Sequence, residues 1–451
     1  MLGLDPARPQ CSRRALLTRA GPVVGAMITA ACGAAGTAPP STKTLSDAPV
    51  TIEFYKRGTL QDADVNIMLQ EWYERHPTWK VNLTQGKNDL EALTPAIAGG
   101  EKIDVLGWYQ TVRGLIASTG IPLPLEDYVK RDKYDVSRFS AKELDLVGRY
   151  RGKLYALYYA WGGNLTAMYY NRALFQQAGV PEPPADWSKA WTWEQFREAL
   201  HKLTIKQGTT TTQVGITDYG DPITSLLVLS DAKWISDDWK KIDPSAPELL
   251  QTLERWAEIT AKDGSAFVSP GVDLGTKSTL EAFMTGRAAI HNVCCGPASP
   301  AMKFRDAGMD WGFMPTPKMK YAAPDVQSNL VLLTKLGEHP DHGWELTKYL
   351  IENNRWGARE GRLPPFVEDA QKWVKETFTD MPNARLELVW ESIKFARPVD
   401  KIKYHPAGDE LYGVIKPVLA DIWAGRATVR AALPPMQSQL QAILDRTPMP
   451  E

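Results

Sequence analysis

From Val50 the segment Val-Thr-Ile-Glu-Phe-Tyr alternates apolar and polar side chains, the period-two pattern of a strand. The next stretch places Val65, Met68, Leu69, Trp72 and Tyr73 at spacings of three and four, which gathers them on one face of a helix that Pro77 stops. Trp79-Lys-Val-Asn-Leu-Thr then returns to strand. Strand, helix and strand in that order build parallel sheets with covered faces. The order continues with a helix near 89–98, halted by Gly99-Gly100, and with Ile103-Asp-Val-Leu-Gly-Trp as a buried strand. Three later helices carry start and stop signals. Asn171 caps a helix holding Leu174 and Phe175 that Gly179 ends; Thr192 and Gln195 form a capping pair ahead of Phe196, Leu200 and Leu203; Leu280, Phe283 and Met284 precede Gly286. The pattern predicts an α/β fold.

The N-terminal region breaks this pattern. Arg8, Arg13, Arg14 and Arg19 precede an apolar stretch over 21–31 that ends in small residues, the order of charge, apolar core and cleavage site found in export signals. That stretch is too short for a permanent span, which needs roughly 20 apolar residues. Ser12-Arg13-Arg14-Ala15-Leu16-Leu17 resembles a twin-arginine signal. Thr29-Ala30-Ala31-Cys32 resembles a lipobox, which makes Cys32 the lipidation site and residues 1–31 the removed signal peptide. Residues 32–48 are small and polar without hydrophobic period, a flexible linker that holds a folded body near a membrane.

Composition narrows the function. The chain of 451 residues is 43% hydrophobic and 23% charged, enough for two domains with cores of their own. Lys and Arg number 52 against 53 Asp and Glu, and the signal region removes four arginines but only one aspartate, so the mature body is acidic and nucleic acid is not expected as a partner. Of the 4 cysteines, Cys11 and Cys32 lie in the export region, while the adjacent Cys294 and Cys295 read as two small buried thiols, so no disulfide framework exists. The 16 Trp and 16 Tyr combine flat apolar faces with polar edges, matching the faces and rims of sugar rings.

No catalytic signature is present, and neither a metal nor a cofactor is expected. Gly275-Thr-Lys277-Ser lacks the glycine that a phosphate loop needs before its lysine, and there is no Gly-x-Ser-x-Gly or His-Glu-x-x-His. His339 and His342 flank Pro340 and Asp341, which read as a helix start rather than a metal site. Asp237-Asp238 reads as solvated surface charge; as cleft carboxylates at catalytic separation they would instead make the chain a membrane-anchored glycoside hydrolase, the alternative reading.

Eight blocks in order carry a family resemblance: Trp72-Tyr-Glu-Arg-His-Pro-Thr-Trp-Lys-Val; Ala96-Ile-Ala-Gly-Gly-Glu-Lys-Ile-Asp-Val; Leu123-Pro-Leu-Glu-Asp-Tyr; Gly152-Lys-Leu-Tyr-Ala-Leu; Met168-Tyr-Tyr-Asn-Arg-Ala-Leu-Phe-Gln-Gln-Ala-Gly-Val; Ala282-Phe-Met-Thr-Gly-Arg-Ala-Ala-Ile; Trp311-Gly-Phe-Met-Pro-Thr-Pro-Lys; and Gly425-Arg-Ala-Thr-Val-Arg-Ala-Ala-Leu. With these the mature chain resembles the extracellular solute-binding proteins of bacterial ABC importers, the group similar to maltose-binding and glycerol-3-phosphate-binding proteins. The resemblance implies a two-lobed periplasmic-binding-protein-like α/β fold with three hinge crossings and a ligand cleft between the lobes. Lobe 1 would take residues 49–160 plus 331–390 and lobe 2 residues 163–328 plus 395–451, with crossings near Tyr159–Gly163, Ser328–Leu332 and 385–397. It also implies a monomer that is exported, lipid-anchored on the outer face of the cytoplasmic membrane, and partnered by a carbohydrate or related polar solute and by the transmembrane subunits of a permease.

A sugar needs aromatic faces and planar polar groups in the cleft. Candidates in the first lobe are Tyr55 and Arg57 after the first strand, and Trp108, Tyr109 and Gln110 past the third. Tyr159, Trp161 and Asn164 stand at the first crossing; Asp218, Tyr219, Asp221 and Asn292 lie in the second lobe, and Arg362 in the loop Gly361-Arg-Leu-Pro. Arg57 and Arg362 fit a phosphate or carboxylate as well as a hydroxyl, which leaves the ligand's charge open. Related sugar binders often carry a Trp after the Gly-Pro that here leads to Ala298-Ser299, so either another aromatic such as Trp234 or Tyr404 is the replacement platform or the ligand is not a typical maltose-like sugar.

Overall fold

The alternation that begins at Val50 becomes β1 (Val50–Arg57), with Ile52 and Phe54 buried and Thr51 exposed. The computed structural model describes residues 45–57, 62–86, 90–110, 112–160, 167–218, 222–293, 298–326, 328–353, 363–398 and 400–447. The export signal, Cys32 and most of the linker lie outside them.

Helix α1 (Asp62–Arg75) buries Val65, Met68, Leu69 and Trp72 and ends two residues before Pro77, whose ring disfavours a helical residue ahead of it. β2 (Trp79–Gly86) runs parallel to β1 in the register Val50 to Trp79. α2 (Leu90–Ala98) leads into β3 (Val105–Gln110), also parallel to β1, and α3 (Val112–Thr119) follows directly. β3 starts two residues later than the pattern at Ile103 predicts. The reason is Asp104, whose carboxylate accepts from the backbone N–H groups of Glu53 at 2.8 Å and His339 at 2.6 Å, tying two chain segments together where the sheet begins.

A hairpin of β4 (Arg149–Tyr150) and β5 (Lys153–Leu154) precedes β6 (Leu157–Ala160). The chain then builds β7 (Ala167–Asn171), β8 (Ile205–Gln207), β9 (Thr210–Ile216), β10 (Ala288–Val293) and β11 (Trp311–Met314) before β12 (Ser328–Leu333). Two five-stranded sheets result, ordered β2-β1-β3-β12-β6 and β11-β7-β10-β9-β8. In the first, β12 lies antiparallel to both β3 and β6; in the second, β10 is parallel to β9 and antiparallel to β7.

This order makes the fold two-lobed. The chain leaves the first sheet after β6, completes the second, and returns to the first at β12. The helix Pro340–Glu352 buries Trp344, Leu346 and Leu350 in the first core. The helix Glu387–Phe395 touches second-lobe elements, with Trp187 donating from Nε1 to the Leu388 carbonyl at 3.0 Å and stacking on Phe395. The long helix Gly408–Trp423 then buries Leu411, Ile415 and Leu419 in the second core, the third passage between lobes.

The local signals of the second lobe form as the sequence predicts. Asn171 accepts from Leu174 N at 3.2 Å, Thr192 and Gln195 make a reciprocal capping box, and Gly179 stands at φ 63°, where a side chain would be strained. On β7, Met168 and Tyr170 enter the core that holds Ile216, Ile290 and Trp256, while Tyr169 points to the other face with Phe283, Phe304 and Phe313. No described helix is long and apolar enough to cross a membrane.

Candidate ligand-binding site

The sequence-predicted site residues divide into three groups. Tyr55, Trp108 and Tyr159 are buried on β1, β3 and β6 and belong to the first core. Tyr55 lies so close over Gly86 at the end of β2 that a Cβ there would come within 2.0 Å of the ring, which is why the position is a glycine. Tyr109 and Asp218 are half-buried. Arg57 and Gln110 end β1 and β3, with side chains outside the described set, and Trp161, Asn164, Tyr219, Asp221 and Arg362 lie outside the described residues altogether.

Asn292, near the carboxyl end of β10, is different. The residue is only 6% exposed, and neither Oδ1 nor Nδ2 has a hydrogen-bond partner among the described residues. Its backbone sits opposite Met168 on β7 and its N–H donates to the Thr217 hydroxyl at 3.2 Å; that hydroxyl also lies 3.2 Å from Nδ1 of His291. Burial holds the His291 ring well below the ordinary histidine range, at about 4, so it is neutral at pH 7.

A cavity of about 360 Å3 opens between the lobes, within the range of about 300–1,000 Å3 usual for ligand pockets. Arg113 on α3 and Leu146 in a π-helical turn (Leu144–Gly148) line its first-lobe side. The opposite wall comes from the loop 227–239 and the passage 397–401. Two residues of that wall, Asp231 and Trp239, adopt φ of 67° and 64°, values uncommon outside glycine.

The wall is a network of charges. Asp231 accepts from Arg397 Nη2 at 3.1 Å and from Lys320 Nζ at 3.0 Å. Burial works against its charge, but those two bonds outweigh it and hold the carboxyl below its usual range. Asp237 accepts from Lys233 and Lys401, each at 3.0 Å, and is likewise held low. Asp400 is buried and accepts from the backbone N–H groups of Trp234 at 3.1 Å and Ile402 at 3.0 Å; burial pushes it up to about 6. The Arg397 guanidinium lies 3.8 Å from the centre of the Tyr321 ring, and Lys401 Nζ 4.9 Å from that of Trp239.

Of the two expected replacement platforms, Trp234 is enclosed in the second core at 1% exposure, with Nε1 donating to the Ile223 carbonyl at 3.0 Å, so it offers no face to a ligand. Tyr404 ends a short 3-10 turn with its side chain outside the described set. Among the described residues, the aromatic that lines the cavity is Trp239. Sequence reasoning missed it, together with Arg113, Asp231 and Arg397; the signal was there only for Trp239, which follows Asp237-Asp238 in a polar loop.

Two α/β lobes, three passages between them and a polar, aromatic-edged cavity where they meet define a two-lobed binding protein. Residues 57–353 match the family of bacterial extracellular solute-binding proteins, and the chain belongs to it. Maltotriose-binding protein of Pyrococcus abyssi is 25% identical over 360 residues, covering 73% of this chain and 72% of the relative. The sugar-binding protein MalE of Xanthomonas citri shares the fold with a TM-score of 0.69 at 17% identity, over 88% of this chain and 98% of the other. UgpB of Mycobacterium tuberculosis, solved in complex with glycerophosphocholine, gives 0.67 at 21% identity over 88% and 98%.

Proposed function

We propose that this protein captures a carbohydrate or related polar solute outside the cytoplasmic membrane and delivers it to the permease of an ABC importer, without transforming it. The observation that carries the reading is Asn292. A buried amide left without partners costs about 1–3 kcal/mol, a cost that a hydroxyl-bearing ligand removes because each hydroxyl both donates and accepts. The sugars and the glycerophosphodiester bound by relatives supply the ligand class. Tyr109, Asp218 and the candidates at 57, 110, 161, 164, 219, 221 and 362 would complete the polar lining, with lobe 1 as 49–160 plus 331–390 and lobe 2 as 163–328 plus 395–451.

The N-terminal features extend the proposal. Residues 1–31 act as a twin-arginine-type export signal, Cys32 takes the lipid, and residues 32–48 tether a monomeric binder to the outer face of the membrane. Mass spectrometry of the membrane-extracted protein tests this by the presence or absence of an acylated Cys32 at the N-terminus.

The solute reading is tested by a thermal-shift screen against neutral mono- and oligosaccharides, polyols, glycerophosphodiesters and sugar acids, with product analysis on each hit. Ligand at a hundred times its Kd adds about 2.7 kcal/mol of stability. A selective shift with the ligand recovered intact is expected. Turnover of the ligand would overturn the reading in favour of a glycosidase, and no shift across the panel would remove carbohydrates as the class.

A further inference from the structure

We infer that the cavity beside Arg113 and Arg397 is a subsite for an oxyanion on the solute, a carboxylate or a phosphate ester. This deepens the solute-binding reading and rests on it.

The argument is an account of which hydrogen-bonding groups are already used. Every carboxylate oxygen of Asp231 and Asp237 on the wall receives a donor from the protein: Asp231 from Arg397 and Lys320, Asp237 from Lys233 on both oxygens and from Lys401. Both oxygens of Asp400 are taken by backbone N–H groups. A neutral sugar site normally offers carboxylates as acceptors for hydroxyl protons, and here each of these oxygens already carries a donor from the protein, which reduces what it offers a hydroxyl.

What remains is donor capacity on cations. Arg113 bonds only two backbone carbonyls, Asp145 O at 3.2 Å and Arg149 O at 3.5 Å, and has no carboxylate partner among the described residues. Arg397 spends Nη2 on Asp231 and lies over the Tyr321 ring, so among the described residues Nε and Nη1 remain as separate single donors. Two guanidinium groups from opposite sides of one cavity suit an oxyanion, because their charge strengthens each single hydrogen bond that an unused N–H donates to a carboxylate or phosphate oxygen. The group would thereby bridge the lobes.

Backbone geometry adds an independent observation. Asp231 and Trp239, two of the five described non-glycine residues with positive φ, both line this cavity. Such conformations persist where the surroundings over-determine them, and they cluster at ligand sites.

The test measures Kd by calorimetry for the full chain with matched pairs: neutral oligosaccharides against oligogalacturonates of equal length, and hexoses against hexose 6-phosphates, with inorganic phosphate alone as a further probe. The anionic member of at least one pair is expected to bind tenfold or more tightly than its neutral partner, and to weaken as salt rises. Arg113→Gln, at an exposed position, should weaken the anionic partner about tenfold more than the neutral one; Arg397→Lys should lower the preference severalfold. Neutral sugars binding more tightly than every anionic counterpart would overturn the subsite and leave the solute-binding reading standing. Equal loss of both members in R113Q would also overturn it, and a panel without any binding would overturn both.

Discussion

Arg397 donates from Nη2 to Oδ1 of Asp231 over 3.1 Å, joining the last passage between the lobes to a second-lobe loop 166 residues earlier in the chain. Asp231 sits at φ 67°, so the pair is made by a backbone that accepts strain to place a carboxylate there. Both side chains are about a third exposed, which keeps the energy of the pair near that of other surface ion pairs, about 0.5–1 kcal/mol. Asp231→Asn should cost that much by urea denaturation. A cycle with Arg397→Gln checks it: additive single changes would show that the two residues do not couple.

Asp400 predicts a pH dependence of known sign. Its folded pKa, about 6, lies above the unfolded carboxyl value, so the protonated form is favoured in the fold. The resulting stability is fully present below about pH 4 and is lost as pH rises through 6. Two units correspond to about 2–3 kcal/mol for a fully buried group. Asp400→Asn cannot ionise but loses one of the two acceptors for Trp234 and Ile402. It should be less stable than wild type at pH 4, with the gap narrowing or reversing by pH 7. A gap constant across denaturation curves at pH 4, 5, 6 and 7 would refute the assignment.

Asp132 predicts the opposite sign. Burial opposes its charge, but bonds from Arg131 at 2.7 Å, Lys348 at 2.6 Å and Trp344 Nε1 at 2.8 Å bring the carboxyl down to about 2. This stability is present above the unfolded value near 4 and is lost as pH falls through about 2. At one-fifth side-chain exposure the shift is discounted for solvent screening, leaving about 1–2 kcal/mol. Asp132→Asn should lower Tm by several degrees at pH 7 and by little at pH 2.5, read by calorimetry at both values.

What could be read from the sequence was local. Asn171 as a cap, Thr192 with Gln195, and the stop of α1 ahead of Pro77 depend on residues within one helical turn, and all formed as expected. Ile103 misled by two residues because Asp104 serves backbone groups at Glu53 and His339, partners no local pattern announces. The two-lobed fold followed from family blocks rather than from periodicity, since β12 inserts between β3 and β6 only after the whole second sheet has been built. Trp234 and Trp239 make the limit plain. They share a loop and a composition, yet one is locked in the core by Ile223 and the other edges the cavity. The choice is made by contacts far away in sequence, as is the pairing of Asp231 with Arg397.

Asn292 gives the prediction that separates stability from function. An unpaired amide at 6% exposure destabilises the empty protein, so replacing it with a side chain of similar volume and no polar atoms should stabilise that state. Asn292→Leu is expected to raise unfolding free energy by about 1–2 kcal/mol in the absence of ligand. The same change removes a donor and an acceptor from the ligand's side, so Kd should rise tenfold or more. Asn292→Asp is the control, because it keeps the shape but places a charge in a buried position; it should lose both stability and binding. If N292L were destabilised instead, the amide would be satisfied in the native protein and its role would be structural. If N292L were stabilised yet bound every solute as wild type does, Asn292 would face a void and not the ligand.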